Sequence, residues 1–315
     1  MPYTISLISP EEKEQLTERC SDRIRFEIKS DIYGCCIKLL SDNHTIKDTW
    51  QENFYAMSES IRSHGRMFVF CDPGYPENTL LFDPCSKTAF LYNFSYYGWI
   101  KSIALGLTGD ILEDEHGISS IHGACMDIGG QGLCLIGTSG AGKTTQTYGL
   151  LNNRSSRVIS DDWFFSRVYG PDILAYGSEK NFYIREDLAG IWKEFDGLVE
   201  RDEYDADGRA VANLRWVIGK GRQLPFTTLK TLIILKRDPA DKTLSHKLEP
   251  EEGLALFSKN QYFNPHLLVN TPRKSALRKK SIYGLLERTT AYLVNTTGTP
   301  RETQALIRSL GGLDE

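Results

Sequence analysis

Apolar residues fall into short blocks separated by Gly, Pro, Asn and Asp, and the blocks switch between strand-like and helix-like spacing. Tyr3 to Ile8 is spaced as a strand, and Pro10 with Glu11-Glu12 opens a helix running to Arg19. Ile24 to Ile28 alternates as a half-buried strand, with Lys29-Ser30-Asp31 as a turn and Ile32 to Leu40 as its hairpin partner. Thr45 to Ser63 is predicted as a helix and Met67 to Cys71 as a buried strand. Leu80 to Phe82 and Ala89 to Tyr92 flank the turn Asp83 to Lys87 as a second hairpin. Trp99 to Leu112 has helical spacing, and the acidic run Glu113-Asp114-Glu115 is expected to mark a domain boundary.

Beyond that run, Ser119 to Ile128 reads as a strand turned by Gly129-Gly130 into the apolar run Leu133 to Ile136, with a helix from Lys143 to Leu151. Arg157 to Ser160 is a short strand, and Trp163 to Tyr169 pairs with Ile173 to Tyr176 around Gly170-Pro171. Leu188 to Val199 is expected to be helical, and Leu229 to Leu235 is a buried strand. Helices over Glu251 to Ser258 and Ala276 to Glu287, a strand Ala291 to Val294 and an amphipathic helix Pro300 to Leu310 complete the pattern. The expected fold class is α/β, in an α+β arrangement. A mixed N-terminal domain is expected over 1–115 and a second domain over 116–315.

Composition narrows the class. With 315 residues, 40% hydrophobic and 25% charged, the chain can build a substantial core. Its net charge of -4 argues against a nucleic-acid partner. Arg273-Lys274 with Arg278-Lys279-Lys280 is the one basic cluster singled out, and a solvated helix face is its simplest reading. The aromatics Phe90, Tyr92, Phe94, Tyr96, Tyr97 and Trp99 suit sheet and core packing better than a stacking surface. Seven cysteines without C-x-x-C spacing indicate neither zinc nor a disulfide framework. No apolar run suits a membrane span, so no membrane partner and a cytoplasmic location are expected.

Chemistry concentrates in Gly137-Thr138-Ser139-Gly140-Ala141-Gly142-Lys143-Thr144-Thr145, which fits G-x-x-x-x-G-K-[ST] between a strand and a helix. A polyphosphate needs bare backbone N–H groups aimed inward, and glycines at these positions let the main chain approach it. In this pattern Lys143 reaches the β and γ phosphates, and the Thr144 hydroxyl is a Mg²⁺ ligand. Asp161-Asp162 ends the strand after the loop helix, where a carboxylate can hold the metal and another can take a proton. His122 either meets the phosphates, tunes that base, or is a strand histidine satisfied by backbone. The acidic stretch Asp202 to Gly208 lacks the twelfth-position Glu of a calcium loop, with Leu214 standing there, and is expected to be solvated.

His122 within Ile121-His122-Gly123, the loop from Gly137 to Thr144, and Val158-Ile159-Ser160-Asp161-Asp162 together resemble the catalytic domain of HPr kinase/phosphorylase and its wider relatives, which include phosphoenolpyruvate carboxykinase. The resemblance implies a central sheet with ATP and Mg²⁺ bound on one side. It makes Asp161 the base, Asp162 a metal ligand beside Thr144, and His122 a neighbour of the phosphates. Two departures stand out: Thr145 replaces an acidic residue directly after the loop, and Lys180 to Arg185 replaces a Gly- and Ile-rich signature. HPr as substrate and the reverse phosphorylase reaction are therefore not carried over. Most similar are stand-alone HPr-kinase-like enzymes, some acting on a serine of ribosomal peptides such as lasso precursors.

The resulting expectation is an ATP-dependent kinase acting on a hydroxyl, foremost a serine of a peptide or small protein. A small-molecule kinase and a non-catalytic nucleotide-binding regulator are the alternatives. The 1–115 domain is then a candidate acceptor-binding unit and 116–315 the nucleotide-binding catalytic domain. Arg185 and Arg222 are candidates for clamping the transferred phosphate, with a plain surface arginine the simpler reading of each, and a homo-oligomer is left open.

Overall fold

The computed structural model describes residues 3–199, 209–212, 219–264 and 266–313. The acidic stretch 202–208 lies outside them. The chain divides into two compact units, Met1–Gly117 with Pro265–Lys274, and Ile118–Asn264 with Ser275–Glu315. The fold is mixed α/β with two large sheets, one in each unit. Among the described residues no helix is long and apolar enough to cross a membrane.

The first unit contains β1 (Thr4–Leu7), α1 (Pro10–Ser21), β2 (Phe26–Ile32), β3 (Cys35–Ser41), α2 (His44–Asn53), β4 (Tyr55–Ala56), β5 (Gly65–Phe70), β6 (Thr79–Asp83), β7 (Thr88–Tyr92) and α3 (Tyr97–His116). Its sheet runs β1-β6-β7-β5-β3-β2-β4. Ser9 starts α1 with a reciprocal capping box to Glu12, and Pro10 takes the first helical position, where a missing N–H costs nothing. Phe90 and Tyr92 are core residues, as aromatic strand positions suggest.

Three features of this unit differ from the sequence pattern. The β2–β3 turn falls at Tyr33-Gly34, with Asp31 Oδ1 accepting from the Gly34 N–H at 2.6 Å, so Lys29-Ser30-Asp31 stay in the strand. The helix predicted to reach Ser63 stops at Asn53, because Tyr55 and Ala56 add to the sheet edge beside β2. Glu113-Asp114-Glu115 form the last turn of α3 rather than a linker, and Gly117 closes the helix. Asp114 is held there by Lys87 at 2.7 Å and Lys274 at 3.1 Å. Lys274 and Arg278 are both buried, so the basic cluster is not simply a solvated face.

The second unit contains β8 (Ser119–Ile128), β9 (Gln131–Gly137), α4 (Lys143–Leu151), β10 (Ser156–Ser160), β11 (Trp163–Tyr169), β12 (Asp172–Gly177), β13 (Phe182–Arg185), α5 (Leu188–Ile191), α6 (Asp196–Val199) and β14 (Arg209–Ala212). It continues with β15 (Phe226–Lys236), β16 (Ser245–Leu248), α7 (Pro250–Asn260), α8 (Pro272–Leu286, of which the part from Ser275 belongs to this unit), β17 (Thr290–Asn295) and α9 (Pro300–Leu310). The helix expected over Leu188 to Val199 is broken at Trp192, whose extended backbone separates α5 from the turns that follow. β13 and β14 form a separate two-stranded ribbon.

In the large sheet, β15 lies parallel to both β9 and β17. Strands buried on both faces read as continuous apolar runs, and Leu133 to Ile136 and Leu232 to Leu235 do so. The strand period of two then sends alternate residues to opposite cores. Leu133, Leu135, Ile233 and Leu235 pack with Tyr148 of α4 and Ile307 of α9. Cys134, Ile136, Leu232 and Ile234 pack with Phe257 of α7 and Ile282 of α8. The sheet is thus sandwiched, and the loop leaves the carboxyl end of β9, an interior strand flanked by β8 and β15.

Candidate active site

The loop begins at Gly137, the last residue of β9, opposite Leu235. A Cβ at Gly137 would lie 2.8 Å from the Leu235 carbonyl oxygen and 3.1 Å from the Ala141 Cβ, so only glycine lets the loop seat this tightly. Gly142, at φ 97°, has a left-handed backbone that directs the chain into α4. Ala141 is buried in the core, and its N–H bonds back to the Thr138 carbonyl at 3.2 Å. Thr138, Ser139 and Gly140 are exposed, while Thr144 and Thr145 are partly covered at the start of α4. Its N-cap, Gly142, has no side chain with which to cap the helix start. The helix is held from behind: Trp192 Nε1 donates to the Thr145 carbonyl at 2.8 Å, and Gln146 Nε2 donates to the Pro300 carbonyl at 3.2 Å.

Lys143 folds over its own loop, its Nζ donating to the Gly137 carbonyl at 2.5 Å and toward that of Thr138 at 3.4 Å. Burial pushes its ammonium below the ordinary lysine value, while the charges of Asp162 and Asp161 pull it the other way.

The acid pair occupies an interruption in what is otherwise a single strand against β8. Ser160 faces Cys125 and Trp163 faces His122, the same register on either side of Asp161-Asp162. Across the gap, the Asp162 carbonyl accepts the Gly123 N–H at 3.0 Å. The neighbouring Trp163 carbonyl accepts the Ser178 hydroxyl at 2.5 Å. Asp161 is buried at 5% exposure, and the Asp162 side chain is 37% exposed. His122 Nε2 lies 3.2 Å from Asp162 Oδ1. So β8 supplies the histidine, the strand break supplies the acids, and β9 with α4 supplies the loop and lysine.

Two arginines singled out from the sequence have their described contacts with other groups. Arg185, on β13, pairs with Asp187 at 3.2 Å in an exposed position, and no described contact joins it to the loop or the acid pair. Arg222 is bound to the end of α4: its Nε donates to Ser156 O at 3.1 Å, and its Nη2 to Leu151 O and Asn153 O at 2.6 and 2.7 Å. A guanidinium committed to three carbonyls is a helix-end brace, which corrects its reading as a phosphate clamp. Sequence reasoning missed Tyr262, whose carbonyl accepts the His122 N–H at 3.1 Å, and Trp192 behind the loop helix. Neither lies in a motif, and nothing local marks them.

The donor set fits Mg²⁺. Thr144 and Asp162 offer hard oxygens, and among the described residues no three His, Cys, Asp or Glu form a metal cage. Mg²⁺ characteristically takes one or two protein oxygens and completes its shell with water and substrate phosphates.

No family model matches the chain, and no curated protein matches it. Among solved structures it is similar to the HPr(Ser) kinase/phosphatase from Coxiella burnetii, at 13% identity and a TM-score of 0.33, over 60% of this chain and 88% of that one. Superposition at that level carries no function across, so the functional reading rests on the residues of the loop and the strand break.

Proposed function

We propose that the chain is an ATP-dependent kinase that transfers the γ-phosphoryl group to an alcohol. What supports this reading is that Gly123 of β8 faces Ile136, the residue before Gly137, and donates its N–H to the Asp162 carbonyl, so the strand break with its two acids runs beside the root of the glycine loop. Phosphoryl transfer asks the protein for positioning and charge neutralisation more than for covalent chemistry. The loop amides from Thr138 to Gly142 and the uncapped start of α4 receive the phosphate chain. Lys143 exchanges its bonds to Gly137 O and Thr138 O for phosphate oxygens, and the loss of its self-contacts is offset by a stronger charge-assisted pair.

Thr144 and Asp162 would hold Mg²⁺, which when bound would add neutralisation of phosphate charge. Asp161 takes the proton of the attacking hydroxyl, a role suited to a carboxylate shielded from water beside a cation. His122 orients the Asp162 carboxylate through their 3.2 Å contact. Arg185 enters as the cation that leaves Asp187 to meet the transferred phosphate.

The acceptor we assign is a serine of a peptide or small protein, on the strength of the motif resemblance around His122, the loop and Asp161-Asp162. Incubation of the protein with γ-labelled ATP and a cell extract split by size tests this. Label in the peptide and protein fraction supports it, and label only among small molecules replaces it with a small-molecule kinase. Nucleotide binding with no label in either fraction leaves a nucleotide-binding regulator.

A further inference from the structure

Tyr262 stands just past α7, where Gln261 turns the chain with a left-handed φ of 54°. The tyrosine N–H still bonds the Phe257 carbonyl at 3.2 Å, and its ring meets Phe257 edge-on at 5.8 Å between centroids. The side chain is buried. Its place in the sheet explains its reach. The ladder between β8 and β9 ends with Gly123 opposite Ile136, because β9 then leaves to become the glycine loop. Gly123 sends its N–H to Asp162, so His122, one residue earlier, sends its own to the opposite side, toward where β9 has departed. There the Tyr262 carbonyl accepts it at 3.1 Å.

The other end of the residue meets the loop: Gly123 faces Ile136, so His122 lies level with Gly137, and the Tyr262 hydroxyl comes up against the Thr138 backbone N–H. Burial pushes the phenol up, so the hydroxyl keeps its proton beside that N–H. One residue therefore holds the strand that carries His122 by its main chain and the first residue after Gly137 by its side chain.

We propose that Tyr262 is a positioning residue for the transfer step, a strut that fixes the separation between the phosphate loop and the His122–Asp162 pair. This rests on the kinase reading. A strut of this kind acts on rate more than on affinity, because a displacement of about 1 Å between reacting groups can cost about 100-fold while the phosphate contacts persist.

The test is Tyr262→Phe in the full chain, which keeps the buried ring and removes only the hydroxyl. Turnover with MgATP is measured beside amide hydrogen exchange of the loop peptide. The strut predicts that kcat falls about 10-fold or more while KM for nucleotide moves less than about 3-fold. It also predicts faster exchange at Thr138. Wild-type kcat with unchanged exchange overturns it, as does a rise in KM alone. If the wild type itself transfers no phosphate, the kinase reading fails separately, and unchanged exchange in Tyr262→Phe then removes the strut as well.

Discussion

His122 Nε2 and Asp162 Oδ1 meet at 3.2 Å although 40 residues separate them in the chain. The antiparallel register of β8 and β11 brings them together, since Trp163, next to Asp162, faces His122 directly. Because Asp162 is the proposed metal ligand, His122 stands behind it as an orienting partner. Loss of such a partner costs about 10–100-fold in activity or metal affinity. His122→Ala is expected to lower turnover within that range and to raise the Mg²⁺ concentration needed for half-maximal rate. Metal titration of the transfer reaction reads both, and a wild-type curve would remove His122 from the site.

Gly137 and Gly140 should respond differently to alanine. At Gly137 a Cβ meets the Leu235 backbone at 2.8 Å, whereas at Gly140 it meets nothing within 4 Å and only the φ of 80° is strained. Gly137→Ala is expected to destabilise the fold by about 1–3 kcal/mol, the range for overpacking, and Gly140→Ala by about 1 kcal/mol. Denaturant melts of the two variants give the comparison. Equal losses would contradict the steric account.

Lys143 gives a pH dependence with a fixed sign. Its folded pKa is lowered by burial, so between that value and the unfolded lysine's value of about 10.4 the unfolded chain binds more protons. The penalty for the buried ammonium is present at low pH and is relieved as pH rises through that window. Wild type should therefore gain stability over Lys143→Met as pH climbs toward 10. Paired melts across the alkaline range check it, and a gain in the opposite direction refutes it.

The two arginines separate stability from activity. Arg222→Ala removes three bonds at the end of α4 and is expected to cost about 1.5–3 kcal/mol while KM for nucleotide is unchanged in the folded protein. Arg185→Ala breaks only an exposed pair, so its stability should move by less than about 1 kcal/mol. If Arg185 meets the transferred phosphate, turnover falls with nucleotide affinity kept. Melting curves with steady-state kinetics distinguish the two outcomes.

The parts of the site that sequence made legible are those whose determinants are local. The glycine spacing of Gly137 to Thr144, the apolar run before it and the tandem Asp161-Asp162 each carry their geometry within a few residues. Thr299 and Pro300 likewise announce α9 with a capping box to Glu302. The rest depends on distant partners. Helix α2 stops at Asn53 because β2 recruits Tyr55, and Lys274 is buried because Asp110 and Asp114 await it across many residues of chain. Arg222 looked like a surface cation until the carbonyls of Leu151, Asn153 and Ser156 claimed it. Tyr262 carried no signal, since its role arises only where β9 leaves β8.

The central claim is that a buried carboxylate beside the loop accepts the hydroxyl proton, and Asp161→Asn tests it most directly. The amide keeps size and burial but cannot serve as the base. Single-turnover transfer from γ-labelled ATP should fall about 100-fold or more, the usual contribution of a positioned base, while MgATP affinity measured by titration stays within about 3-fold. Transfer at the wild-type rate, or loss of nucleotide binding in step with loss of transfer, would contradict it.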